Sequence, residues 1–151
     1  MTYLEILPLE EVKDFLHLEQ DFVDQDAIIE RMIKSALQFI ENRTNKTIAL
    51  RENVTYSNDS GEITIFDYPI RFNNPNNVSI HYKSGKAIVY AKEITADVGY
   101  LVGDDIPSDL ITAALDLIEQ DYFGAENKTG ERIVSQKTMQ IINSHRRFTV
   151  C

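Results

Sequence analysis

Three histidines and one cysteine are the residues in this chain best suited to nucleophilic, acid–base or metal chemistry. His17 falls at a helix end, His81 in a strand pattern and His145 in the C-terminal tail, with no shared spacing. Zinc sites are built from paired ligands such as His-x3-His or Cys-x2-Cys, and neither pair occurs. Cys151 is the last residue. A thiolate nucleophile needs a rigid position and a fixed base, so this cysteine reads as an incidental reduced thiol. The acidic run "DFVDQD", Asp21 to Asp26, lacks the glycine and the closing bidentate glutamate of a calcium loop. Helix capping explains it better, with Asp24 as N-cap and Asp26 in the first turn. Asp104 and Asp105 precede a second helix start, where acids are favoured for the same reason. Gly99 and Gly103 bracket "YLV" without phosphate-loop spacing, and no G-x-S-x-G elbow occurs. The expectation is a chain that is not an enzyme, with no catalytic residues, no cofactor and no metal.

Composition narrows the alternatives. The 151 residues carry 24 Asp and Glu against 15 Lys and Arg, a formal net charge of −9. A dedicated nucleic-acid binder shows a basic stripe, and an anionic membrane surface attracts basic segments; neither matches this balance. Hydrophobic residues make up 43% of the chain, enough to build a core without disulfides or metals. The N-terminus lacks a basic n-region, and no run approaches the ~18 apolar residues of a membrane span. A cytosolic compartment is expected. Six Asn-x-Ser/Thr matches, at Asn42, Asn45, Asn53, Asn58, Asn77 and Asn127, are then chance occurrences in an Asn-rich chain.

The spacing of apolar residues predicts an α+β fold with a mainly helical core. A short helix over about 8–16 starts at Pro8, with Leu9, Val12, Phe15 and Leu16 on one face. A long amphipathic helix over about 25–44 gathers Ile28, Ile29, Met32, Ile33, Ala36, Leu37, Phe39 and Ile40 on one side and stops at Asn45. From about 50 to 103 the chain turns to short strand patterns, "NVTYS", "EITIF", "NVSIHY", "AIVYA" and "ADVGYL". Turn signals separate them, and "KSGK" is the best hairpin. A central helix over about 107–123 opens at Pro107 with Ser108 or Asp109 as cap and closes at Gly124. The tail, about 131–151, holds a short apolar pattern followed by "HRR". The chain is read as one domain, 1–151, with the β-rich insertion inside it.

The central helix carries a surplus of apolar residues. Stepping about 100° per residue, Leu110, Ile111, Ala113, Ala114, Leu115, Leu117, Ile118 and Tyr122 cover an arc of roughly 200°. A helix against a single core needs little more than about 100°. Two sides must therefore be covered: one by the long helix, the other by the β-region, the tail or a neighbouring subunit. Ile111, Ala113, Leu115, Leu117 and Ile118 are the candidate subunit or core interface. Asp121, near the middle of the arc, is expected to be exposed in the last turn.

Two blocks match a known family in order and pattern. Residues 9–48, "LEEVKDFLHLEQDFVDQDAIIERMIKSALQFIENRTNKTI", give a short "VK-x-x-L" helix, an acidic linker and a long helix with "A-x-x-x-I-E" before a polar turn. Residues 98–131, "VGYLVGDDIPSDLITAALDLIEQDYFGAENKTGE", give "Y-x-x-G…IP-x-x-L-x-x-A-x-x-x-L-x-x-x-x-Y". "IINSHRR", residues 141–147, matches a closing "L-L-x-x-x-R". The chain resembles the head–tail connector, or adaptor, proteins of tailed bacteriophages. It departs from them in "FGAEN" after Tyr122, where "E-N-R" is usual, and in a longer β-region. The resemblance implies a structural virion protein of the neck. Copies would form a ring, twelve-fold in the virion, under the portal protein. The ring would extend the DNA channel without sequence-specific binding and would present a platform to the next neck, stopper or tail-completion protein. The tail residues Ile141, Ile142, Arg146 and Arg147 are the candidate portal contact. Competing readings are another oligomeric phage or cytosolic scaffold, and a small enzyme with a composite site.

Overall fold

The computed structural model describes residues 2–101, 105–124 and 134–147. The chain opens with a one-turn helix, α1 (Tyr3–Ile6), that periodicity does not reveal. A capping box makes it: the Thr2 hydroxyl accepts the Glu5 N–H, and the Glu5 carboxylate accepts the Thr2 N–H. Pro8 then caps α2 (Leu9–Phe15), close to the expected 8–16.

The long helix α3 (Asp26–Thr44) also falls where expected, but its N-cap is Gln25 and no side chain caps it. Asp24 is exposed, and Asp26 does different work. Its carboxylate lies 2.8 Å from Lys13 Nζ, and Lys13 is only 2% exposed. Lys13 also donates to the Gln20 carbonyl at 3.0 Å. A buried ammonium is costly unless paired and hydrogen-bonded, so the acidic linker closes over α2 to supply both partners. At the other end Asn45 takes the left-handed conformation, φ 55°, and terminates α3.

Among the described residues the β-region holds six strands in two antiparallel sheets. In chain order they are β1 (Arg51–Ser57), β2 (Ile63–Ile65), β3 (Ile70–Phe72), β4 (Ser79–Lys83), β5 (Lys86–Tyr90) and β6 (Glu93–Val98). One sheet has the order β1-β6-β3 and the other β2-β5-β4. β3, three residues long, is too short to show a pattern in the sequence. "KSGK" forms the predicted hairpin: Lys83 pairs with Lys86, and Ser84 and Gly85 both have positive φ, 52° and 78°. That is the sign pattern of the tight turn whose twist suits flanking strands. Ile63, Ile65, Ala87, Val89 and Ile94 form a small core shared by the two sheets.

Gly99 joins the β-region to the helices. Its φ is 107°, and a Cβ there would sit 2.7 Å from the Ala49 carbonyl oxygen. Only glycine allows the returning chain to pass so close to the outgoing one. The chain then enters α4 (Ser108–Phe123). Its N-cap is Pro107, with no side-chain cap, and Gly124 closes it. Ser108 and Asp109 lie inside the first turn and do not cap. Tyr122 Oη donates to Gln25 Oε1 at 2.6 Å, which places the end of α4 beside the start of α3. Asp121 is half-buried. The last helix, α5 (Gln136–Ser144), is capped by Ser135 and lies against α4 and α3.

Candidate assembly surfaces

The three histidines sit on different parts of the fold. His17 is exposed with φ 59° after α2. His81 is exposed on β4 with its ring edge-on to Tyr90, centroids 5.5 Å apart. His145 caps the end of α5, with Nε2 2.7 Å from Asp109 Oδ2. Among the described residues no three His, Cys, Asp or Glu side chains gather as metal ligands, and no helix is long and apolar enough to cross a membrane. Gly103, Asp104 and Cys151 lie outside the described residues. The features left to interpret are surfaces.

The wide apolar arc of α4 divides cleanly. Leu110, Ala113, Ala114, Leu117 and Ile118 are fully buried within the chain itself. α3 covers one side and α5 the other, so of the three candidates for the second side the tail supplies one. Ile111 and Leu115 are partly exposed on the flank of the core. Ala113, Leu117 and Ile118 have no surface left for a neighbour.

The candidate portal residues also divide. Ile142 is fully buried in the helical core, and Ile141 packs at its edge. Arg146 is exposed. Arg147 is held by the domain: its N–H donates to the Thr44 carbonyl at 2.9 Å, and its carbonyl accepts from Asn45 Nδ2 at 2.8 Å. Its guanidinium lies 4.2 Å from the centroid of the Tyr68 ring and donates to the carbonyls of Asn45, Phe66 and Gly85. Burial lowers its pKa from the ordinary arginine value. The tail thus binds the end of α3 to the β-region. The second Arg of "HRR" gives no sequence signal of this.

A second polar fastening explains the N-terminus. Glu41 accepts from the N–H groups of Ile48 and Ala49 at 2.8 and 3.1 Å, and from Tyr3 Oη at 2.7 Å. Burial first, then the hydrogen bond to Glu41, pushes the Tyr3 phenol from 10.0 to about 12. Burial and a 2.6 Å hydrogen bond to Asp67 raise the Tyr56 phenol likewise.

Two exposed patches remain, at opposite ends of α3. At its start, Phe22, Val23 and Ile28 are exposed beside Phe123 at the end of α4. At its far end, exposed Tyr68 and Tyr82 line a pocket of about 310 Å³. Asp67, Tyr68, Ile70, Tyr82, Lys83 and Arg147 line that pocket.

A core built from helices and a β-region fastened to it by polar contacts define an α+β protein. The family model described as "Phage gp6-like head-tail connector protein" matches residues 7–146. The chain belongs to that family, and its role is that of a structural head–tail connector. Two solved structures share the fold. A chain of "Virion of native gene transfer agent (GTA) particle" aligns with TM-score 0.63 and 18% identity, over 97% of this chain and 92% of that one. A chain of "Neck of empty GTA particle computed with C6 symmetry" aligns with TM-score 0.58 and 15% identity, over the same shares. No curated protein matches.

Proposed function

We propose that copies of this connector form a ring beneath the portal protein, twelve-fold in the virion. The ring extends the DNA channel and gives the next neck or tail-completion protein its platform. The observation that carries this is family membership over residues 7–146. The structural likeness to a chain from a particle neck supports it. Charge agrees with a channel role. At −9 per copy, a ring repels DNA phosphates from its wall and lets the duplex pass. Ring formation needs lateral faces outside the core, and the exposed apolar patches at the two ends of α3 meet that need. Portal contact is assigned to the outward side of the tail helix, with Ile141 and Arg146. Ile142 and Arg147 serve the chain's own fold. The chain is read as one domain carrying the β-rich insertion, because the tail joins the two parts.

Mass measurement of the purified chain, alone and with portal, tests this reading. The expected result is a closed multimer of defined copy number that co-purifies with portal. A strict monomer that never joins portal overturns it.

A further inference from the structure

We propose that neighbouring copies dock head to tail. The acidic–apolar loop Asp21–Gln25 of one copy enters the basic–apolar pocket at the β end of the next. The inference rests on the ring reading above and names the surfaces that would close it.

The plug is the stretch before α3. Val23 is 62% exposed and Phe22 40%, and exposed Asp21 and Asp24 flank them. Residues 1–30 hold nine acids, Glu5, Glu10, Glu11, Asp14, Glu19, Asp21, Asp24, Asp26 and Glu30, and one Lys or Arg, Lys13. Lys13 is buried on Asp26, so it does not neutralise the loop's outer face.

The socket has the opposite sign. Lys83, Lys86 and Arg147 stand around Tyr68, Ile70, Tyr82 and Ala87, with Asp67 as the one acid. The Asp67 carboxylate already accepts the Tyr56 hydroxyl. Tyr82, 70% exposed, forms one wall. The volume, about 310 Å³, lies at the small end of the ~300–1,000 Å³ range of pockets that bury a ligand. It suits an aromatic anchor flanked by carboxylates. Arg147 is already stacked on Tyr68 and bonded to backbone carbonyls, so a carboxylate meets a pre-positioned cation.

Placement favours a second copy as the occupant. α3 has 19 residues and spans roughly 28 Å. The loop precedes its first residue, and Arg147 bonds its last carbonyl. A loop and a socket at opposite ends of one rod cannot meet within a chain. Between chains they make a heterologous contact, the kind that propagates and closes into rings. Complementary charge steers the encounter and fixes its register.

Two charge-reversal variants of the full chain test this: D21K/D24K in the loop and K83E/K86E in the socket. All four residues are surface-placed, and an unchanged thermal melt checks folding. Each variant alone should self-associate at least tenfold more weakly than wild type in sedimentation, with or without portal. An equimolar mixture should recover assembly, because a reversed loop matches a reversed socket. Cysteines at Val23 and Tyr82, placed in separate copies of a C151S chain, should form a disulfide only when the copies are mixed. Variants that assemble like wild type overturn the docking pair and leave the connector reading intact. A wild-type chain that stays monomeric beside portal overturns both. Duplex DNA retained by wild type and released by K83E/K86E, with assembly unchanged, would reassign the socket to phosphate binding and overturn the proposal.

Discussion

The helical half and the β half of this chain are held together by different means. The helical half draws buried side chains from all five described helices into one core, including Ile6, Val12, Ile33, Leu117 and Ile142. The β half shares five buried residues between two three-stranded sheets. Polar fastenings do more of its work: Arg147 on the Phe66 and Gly85 carbonyls, Tyr56 on Asp67, and the Asn53 N–H on Asp97. It also leaves Phe66, Tyr68, Tyr82 and Tyr90 in solvent. A small core ringed by exposed aromatics is typical of a surface made for a partner. The contrast is that buried apolar packing is concentrated in the helices, while the strands rely more on polar contacts and expose more aromatic surface.

The strongest way to break that comparison is Leu117→Asp. It places a carboxylate in the centre of the helical core and should cost more than about 4 kcal/mol, enough to unfold a chain of ordinary stability. Circular dichroism with a urea titration checks this, and a soluble, cooperatively folded variant would contradict the core assignment. Arg147→Ala sharpens the comparison at smaller cost. It removes hydrogen bonds of about 1 kcal/mol each at a partly exposed site, so about 1–2 kcal/mol is expected. Hydrogen exchange should speed up in the β4–β5 hairpin while α3 and α4 stay protected.

The smallest effect is a pH dependence. Tyr3 ionises in the unfolded chain near 10.0 and in the folded chain near about 12. The folded state therefore holds its proton longer. The stability this contributes is complete below pH 10 and is lost as pH rises toward about 12. Tyr3→Phe should flatten part of that alkaline decline in melting temperature. Tyr56, raised in the same direction, keeps part of the slope.

Much of this architecture is legible in the amino-acid sequence because it rests on local signals. Periodicity located α3 and α4 to within a residue or two, Asn45 and Gly124 marked their ends, and "KSGK" marked the hairpin. The Thr2–Glu5 capping box was also readable and would have located α1. What escaped depends on long-range partners. Asp24 has the right type and place for a cap, yet Asp26 is the acid with a structural duty, set by a buried Lys13 on another helix. Arg147 and Ile142 lie in a tail whose pattern is weak, and only the folded chain brings them onto α3, α4 and the hairpin. The surplus apolar arc on α4 was evident. That the tail helix covers its second side was not, because periodicity counts faces without naming what covers them.

A cryo-electron microscopy map of the neck in particles assembled with this chain tests the central claim most directly. The account predicts a closed ring of this α+β fold immediately beneath the portal, coaxial with it, with a central opening wide enough for duplex DNA. A neck without such a ring, or this fold found elsewhere in the particle, would contradict it.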